Sequence, residues 1–168
     1  MATLVKRQLV KRQRLIGLMA LGLGLGLAIA GWARSPAGRV LWLRVTRHCP
    51  GCDLRGAQLA GVSLQQANLQ GANLSQANLS EVDLRQANLG QARLVASNLS
   101  LSNLTGANLE AADCANADLS GASLINANLH QANLQATRMM FADVEGANLK
   151  AANLQQAILD GATGINLP

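Results

Sequence analysis

From Leu54 to Leu159 an apolar residue recurs at every fifth position without a break, leucine throughout except for Cys114, Met139 and Val144. Two places before each of these 22 central residues stands a small one, alanine in most units, with Cys52, Val62, Val82, Ser97, Ser102 and Thr137 as variants. The residue between them is usually Asn or Asp. A period of five suits neither regular element. On an α-helix five residues advance 500°, so the leucines would step by about 140° and spread around the whole circumference. On a straight strand five is odd, and successive leucines would alternate faces. The conflict disappears if the chain turns a corner every five residues and points both the small and the large residue of each unit inward.

The units themselves, such as Ala67-Asn68-Leu69 and Ala72-Asn73-Leu74, resemble the pentapeptide-repeat family over residues 52–162. The resemblance implies an all-β fold, a right-handed quadrilateral β-helix with four sides and 20 residues per turn. Residues 20 apart then stack, and 22 units give about 5.5 coils, or ~26 Å of solenoid at the strand spacing. One side is expected to stack Leu69, Leu89, Leu109, Leu129 and Leu149 inside, below an outer row of Asn68, Asn88, Asn108, Asn128 and Asn148. These amides are read as structural, pairing with turn backbone and with the Asn above and below. Cys114 takes a central position and is expected to sit in the core as a small apolar residue.

The N-terminal third has a different character. Residues 1–14 carry five cations, and residues 15–33 then run for 19 positions without a charge. Two readings compete: an N-terminal apolar helix that anchors the chain in a bilayer, and a cleaved signal peptide with small residues at Ala28 and Ala30 or Gly31 and Ala33. As a helix, 19 residues reach ~28 Å, just short of a hydrocarbon core of about 30 Å. The cations on either side nearly balance, with a lean toward an N-terminus inside. Residues 34–51 are expected to serve as a linker and N-terminal cap, with Trp42 and its apolar neighbours as a hydrophobic lid or an interfacial anchor, and residues 163–168 as a tail.

This division removes the meaning of the net charge of +5. Residues 1–47 hold nine cations and no acid, whereas residues 48–168 hold five cations and nine acids. The repeat region is thus net −4, and a basic nucleic-acid-binding face is not supported. The resemblance offers an alternative function, mimicry of DNA toward an enzyme such as gyrase, which requires a cytoplasmic and strongly acidic rod. B-DNA would carry about 15 negative charges over ~26 Å, far more than this chain offers.

Catalytic chemistry is sparse. The two histidines, His48 and His130, are far apart in the repeat, and the carboxylates are scattered singly, so no enzyme activity, cofactor or small-molecule substrate is expected. The most site-like run is His48-Cys49-Pro50-Gly51-Cys52, in which Cys49 and Cys52 could form a small disulfide, remain thiols, bind metal or act in redox chemistry. Cys114, three coils away, cannot join them. A disulfide would agree with export to a periplasm or thylakoid lumen. The remaining function is that of a membrane-associated or exported scaffold for an unknown protein partner. Outward apolar residues mark where that partner would touch: Leu101, Met140, Phe141 and Ile158 share one side of the coil, and the alternative is that the C-terminal tail folds back over them.

Overall fold

The computed structural model of the chain describes residues 36–165 of the 168. Residues 1–14 and 15–33, where a basic flank and an apolar helix are expected, lie outside the described residues. Among the described residues no helix is long and apolar enough to cross a membrane.

From His48 onward the chain winds into a four-sided coil, held by twenty parallel bridges between residues 20 apart, from His48 with Asn68 to Asp143 with Thr163. Each bridge is isolated because two residues of every five form a corner, leaving no length for an extended strand. The unit Ala67-Asn68-Leu69-Gln70-Gly71 shows where its backbone donors go. The Leu69 N–H donates to Asn88 O at 2.8 Å in the following coil, and the Asn68 N–H donates to Arg47 O at 2.8 Å in the preceding one. The Gly71 N–H also reaches forward, to Gly90 O at 2.9 Å, while the Ala67 N–H closes its own corner on Leu64 O at 3.0 Å. Gln70 has no backbone acceptor in this scheme, and its N–H donates to Asn68 Oδ1 at 3.2 Å. That fifth donor explains why Asn or Asp precedes the central residue: a short side-chain oxygen two residues back satisfies it, as in an Asx turn.

All the corners share one conformation. The 23 residues at every fifth position from Gly51 to Gly161 have φ between 52° and 70°, and fifteen of them are not glycine. The left-handed region costs an L-residue about 1–2 kcal/mol. Here it is held by the turn closure at every corner and, at the 19 corners from Gly51 to Phe141, also by the forward bond of the corner N–H. The reversal Leu-x-x-Ala with its third residue at positive φ follows the type II pattern, which Cys49-Pro50-Gly51-Cys52 fills with the residues that turn prefers.

The interior is a column of alternating large and small side chains. Leu69, Leu89, Leu109, Leu129 and Leu149 are buried, as is Cys114. The coil begins one unit before the Cys52 start expected from the leucine spacing. Cys49 occupies the central inward position that leucine fills elsewhere, is buried, and donates its N–H to Asn68 O at 2.8 Å.

The segment expected as a linker and N-terminal cap contains helix α1, Pro36–Thr46. Proline opens it, with φ already suited to a first helical turn. Arg47 closes it in the left-handed conformation, φ 54°, with its N–H on Leu43 O at 2.8 Å. Leu43 is fully buried and Val40 packs against the core, so α1 lies over the first coil. Arg39 fastens it, donating from its guanidinium to Asp53 O at 2.6 Å and standing 3.8 Å from the Asp53 carboxylate.

Candidate interaction surface

Six large apolar side chains are exposed among the described residues: Leu41, Trp42 and Val45 on α1, and Leu101, Phe141 and Ile158 on the coil. The three on the coil belong to one side. Leu101 and Phe141 occupy the same corner column two coils apart, 65% and 73% exposed, and Ile158, 41% exposed, pairs with Arg138 beside Met139. Met140 is half-buried at the preceding outward position, while Met139 points into the core. The column has a rule of its own. Leu101 is followed 20 residues later by Gly121 and Phe141 by Gly161, and each large side chain leans over the glycine of the next coil. The residues of this patch are legible in the sequence, but their glycine contacts are not, because these depend on how each side chain leans between coils.

The tail does not cover the patch as far as it is described. Val144 donates its N–H to Thr163 O at 3.0 Å, Gly164 passes against the backbone of Glu145, and Ile165 packs on the core. Up to Ile165 the chain thus continues the coil onto the next side, leaving Phe141 open.

At the other end, Cys49 and Cys52 are joined by a disulfide, Cα to Cα 5.4 Å. The bond spans the first corner, linking a central residue to the small inward residue of the next unit. Cys114 is a free thiol whose burial pushes its pKa up to about 12, with the neighbouring Asp113 charge adding to the shift. Among the described residues no group of three or more His, Cys, Asp or Glu could hold a metal ion.

The polar positions are occupied structurally. Asn88, Asn108, Asn128 and Asn148 form a ladder in which each amide donates to the one before, at 3.3, 3.1 and 3.1 Å. These residues are partly buried at the corner edge, apart from the exposed Asn148, rather than forming a fully outward row. His130 is half-buried with Nδ1 2.9 Å from Lys150 O. Two carboxylates are gripped by arginines two residues on: Asp53 by Arg55 and Asp83 by Arg85, each through two guanidinium contacts of 2.9–3.0 Å. Those bonds, led by the side-chain contact with arginine, lower both carboxyl pKa values to about 2.

Known proteins share this architecture. The family described as pentapeptide repeats matches in eight copies over residues 48–76, 77–113, 102–139 and 141–163. The structure of HetL, a pentapeptide repeat protein involved in heterocyst differentiation regulation from the cyanobacterium Nostoc, is similar at 34% identity and a TM-score of 0.54. The match covers 68% of this chain and 62% of HetL, so the chain spans less than two thirds of that protein. A pentapeptide repeat protein from the Arabidopsis thaliana thylakoid lumen is similar at 28% identity and a TM-score of 0.56, covering 59% of this chain and 69% of that one. Comparison with curated proteins finds no match. The unbroken five-residue repeat, the four-sided coil it builds and the family match over most of the chain show together that this protein belongs to the pentapeptide-repeat family, whose fold is the right-handed quadrilateral β-helix.

Proposed function

We propose that the chain is a non-enzymatic, membrane-associated or exported scaffold whose coil presents one side to a protein partner. The observation that carries this reading is the confinement of the coil's exposed large apolar residues, Leu101, Phe141 and Ile158, to a single side. Three apolar side chains placed by chance would seldom share one side of four, and an exposed cluster on a rigid surface is what a partner buries. Rigidity comes from the backbone, since each coil is bonded to the next by the same repeated ladder.

Residues 15–33 would tether the chain to the bilayer or direct its export, and the repeat domain would then work in a periplasm or thylakoid lumen. The Cys49–Cys52 disulfide supports an oxidising compartment. The similarity to a thylakoid-lumen protein agrees with it.

Replacing Met140 and Phe141 together by Ser tests the surface. Both side chains lie outside the packed core, so the variant is expected to keep its melting temperature and lose co-purifying protein. A variant that retains every co-purifying protein would move the binding surface to another side.

A further inference from the structure

Helix α1 has two apolar faces, and the coil uses one of them. Val40 and Leu43 face the first coil. Leu41, Trp42 and Val45 lie on the opposite arc of the helix and remain 37%, 43% and 47% exposed. At 100° per residue these three fall within one quadrant or slightly more. They are half of all the exposed large apolar residues described, concentrated in five positions.

The chemistry around this face is one-sided. Arg44 and Arg47 are exposed beside it, and the chain holds no acidic residue before Asp53. The uncharged run of residues 15–33 ends three residues before α1 begins, so a chain held in a bilayer by that run would deliver α1 at the membrane surface. Tryptophan and long aliphatic side chains flanked by arginine suit the headgroup boundary, where the apolar bodies enter the acyl region and the guanidinium groups remain with phosphate.

We infer that α1 is a two-sided element: Val40 and Leu43 close the coil, while Leu41, Trp42 and Val45 insert into the headgroup boundary of a bilayer. The inference rests on the proposed membrane association of residues 15–33. It adds an orientation to it. Because α1 covers the first coil, the solenoid would stand with its N-terminal end on the membrane, and the Phe141 patch, about 4.5 coils further along, would be held ~20 Å from α1.

The test uses the full chain with Trp32→Phe, which leaves Trp42 as the only tryptophan. The protein is reconstituted with vesicles of phosphatidylcholine and phosphatidylglycerol carrying a nitroxide either near the headgroup or near the end of the acyl chain. Flotation of the vesicles reads membrane association, and quenching of Trp42 emission reads its depth. The expected result is flotation with strong quenching by the shallow label and weak quenching by the deep one. Adding Leu41→Ser and Val45→Ser should leave flotation intact and reduce shallow quenching severalfold. Flotation without shallow quenching, or with quenching indifferent to the two serines, overturns the insertion of α1 and leaves the membrane reading standing. Absence of flotation overturns both.

Discussion

The ring of Phe141 lies over Gly161, one coil further along the same corner column, so closely that a methyl group on the glycine would fall among ring carbons Cδ1 and Cε1. Leu101 and Gly121 repeat the relationship, with a methyl on Gly121 placed 2.8 Å from Leu101 Cδ2. Gly71 has the same positive φ but nothing within 4 Å of such a methyl. Gly71→Ala therefore carries only the conformational term, about 1 kcal/mol. Gly121→Ala and Gly161→Ala must also drive a side chain off its seat, adding about 0.5–1.5 kcal/mol. Denaturant unfolding of the three variants checks the order; equal losses would show that Leu101 and Phe141 move away freely.

The three cysteines should separate by chemistry. In the folded protein no thiol is expected to label at neutral pH, because Cys49 and Cys52 are bonded and Cys114 is both buried and held protonated by its raised pKa. Unfolding without reductant should expose one thiol, and reduction three. The disulfide closes so short a loop that replacing both cysteines by Ser is expected to cost about 2 kcal/mol. Mass spectrometry after alkylation counts the labels, and three labels before reduction would refute the assignment.

Three polar residues replace alanine at the small inward position, and they differ in their partners. Ser97 Oγ donates to Leu94 O at 2.7 Å and Thr137 Oγ1 to Leu134 O at 2.8 Å, whereas Ser102 Oγ is buried without a partner. Ser102→Ala should therefore stabilise the coil by about 1 kcal/mol, and Ser97→Ala should destabilise it by a similar amount. Opposite signs in one set of melts are the decisive result; a loss of stability in Ser102→Ala would mean that its hydroxyl has found a bond.

Acid should weaken the fold through Asp53 and Asp83. Both carboxyl pKa values are lowered from 3.8 to about 2 in the folded state, so the unfolded chain takes up protons first as the pH falls. The contribution is whole above about pH 4 and disappears as the pH falls through about 2. Paired Asp53→Asn and Asp83→Asn substitutions should flatten that part of a stability-against-pH curve. Both pairs are largely solvated, so the slope is expected to be shallow and to diminish in salt.

Much of this architecture can be read from residue order because each unit states its own geometry: a small residue and a large one inward, an Asx side chain for the orphan N–H, and two outward residues. Reading stops where a unit changes its vocabulary. Cys49 stands where leucine is expected, which hid the first unit of the coil behind a cysteine pair that reads as chemistry. Helix α1 escaped because its 11 residues carry apolar groups on two arcs, one for the coil and one facing away, so no single amphipathic stripe announces it. The Phe141–Gly161 and Leu101–Gly121 contacts were invisible for another reason: they depend on which way a side chain leans between coils, and the repeat does not encode that.

The twenty-residue turn sets a rule for editing this chain. Removing or inserting five residues between Leu101 and Phe141 would preserve the inward alternation and every corner, yet would rotate all that follows by a quarter turn. Phe141 would then leave the column of Leu101, and the apolar surface would be split between adjacent sides of an intact rod. A change of twenty would keep the column and alter only its spacing, by ~4.8 Å. Length variants in steps of five thus separate the stability of the rod from the phase of its surface, a distinction that no point substitution can draw.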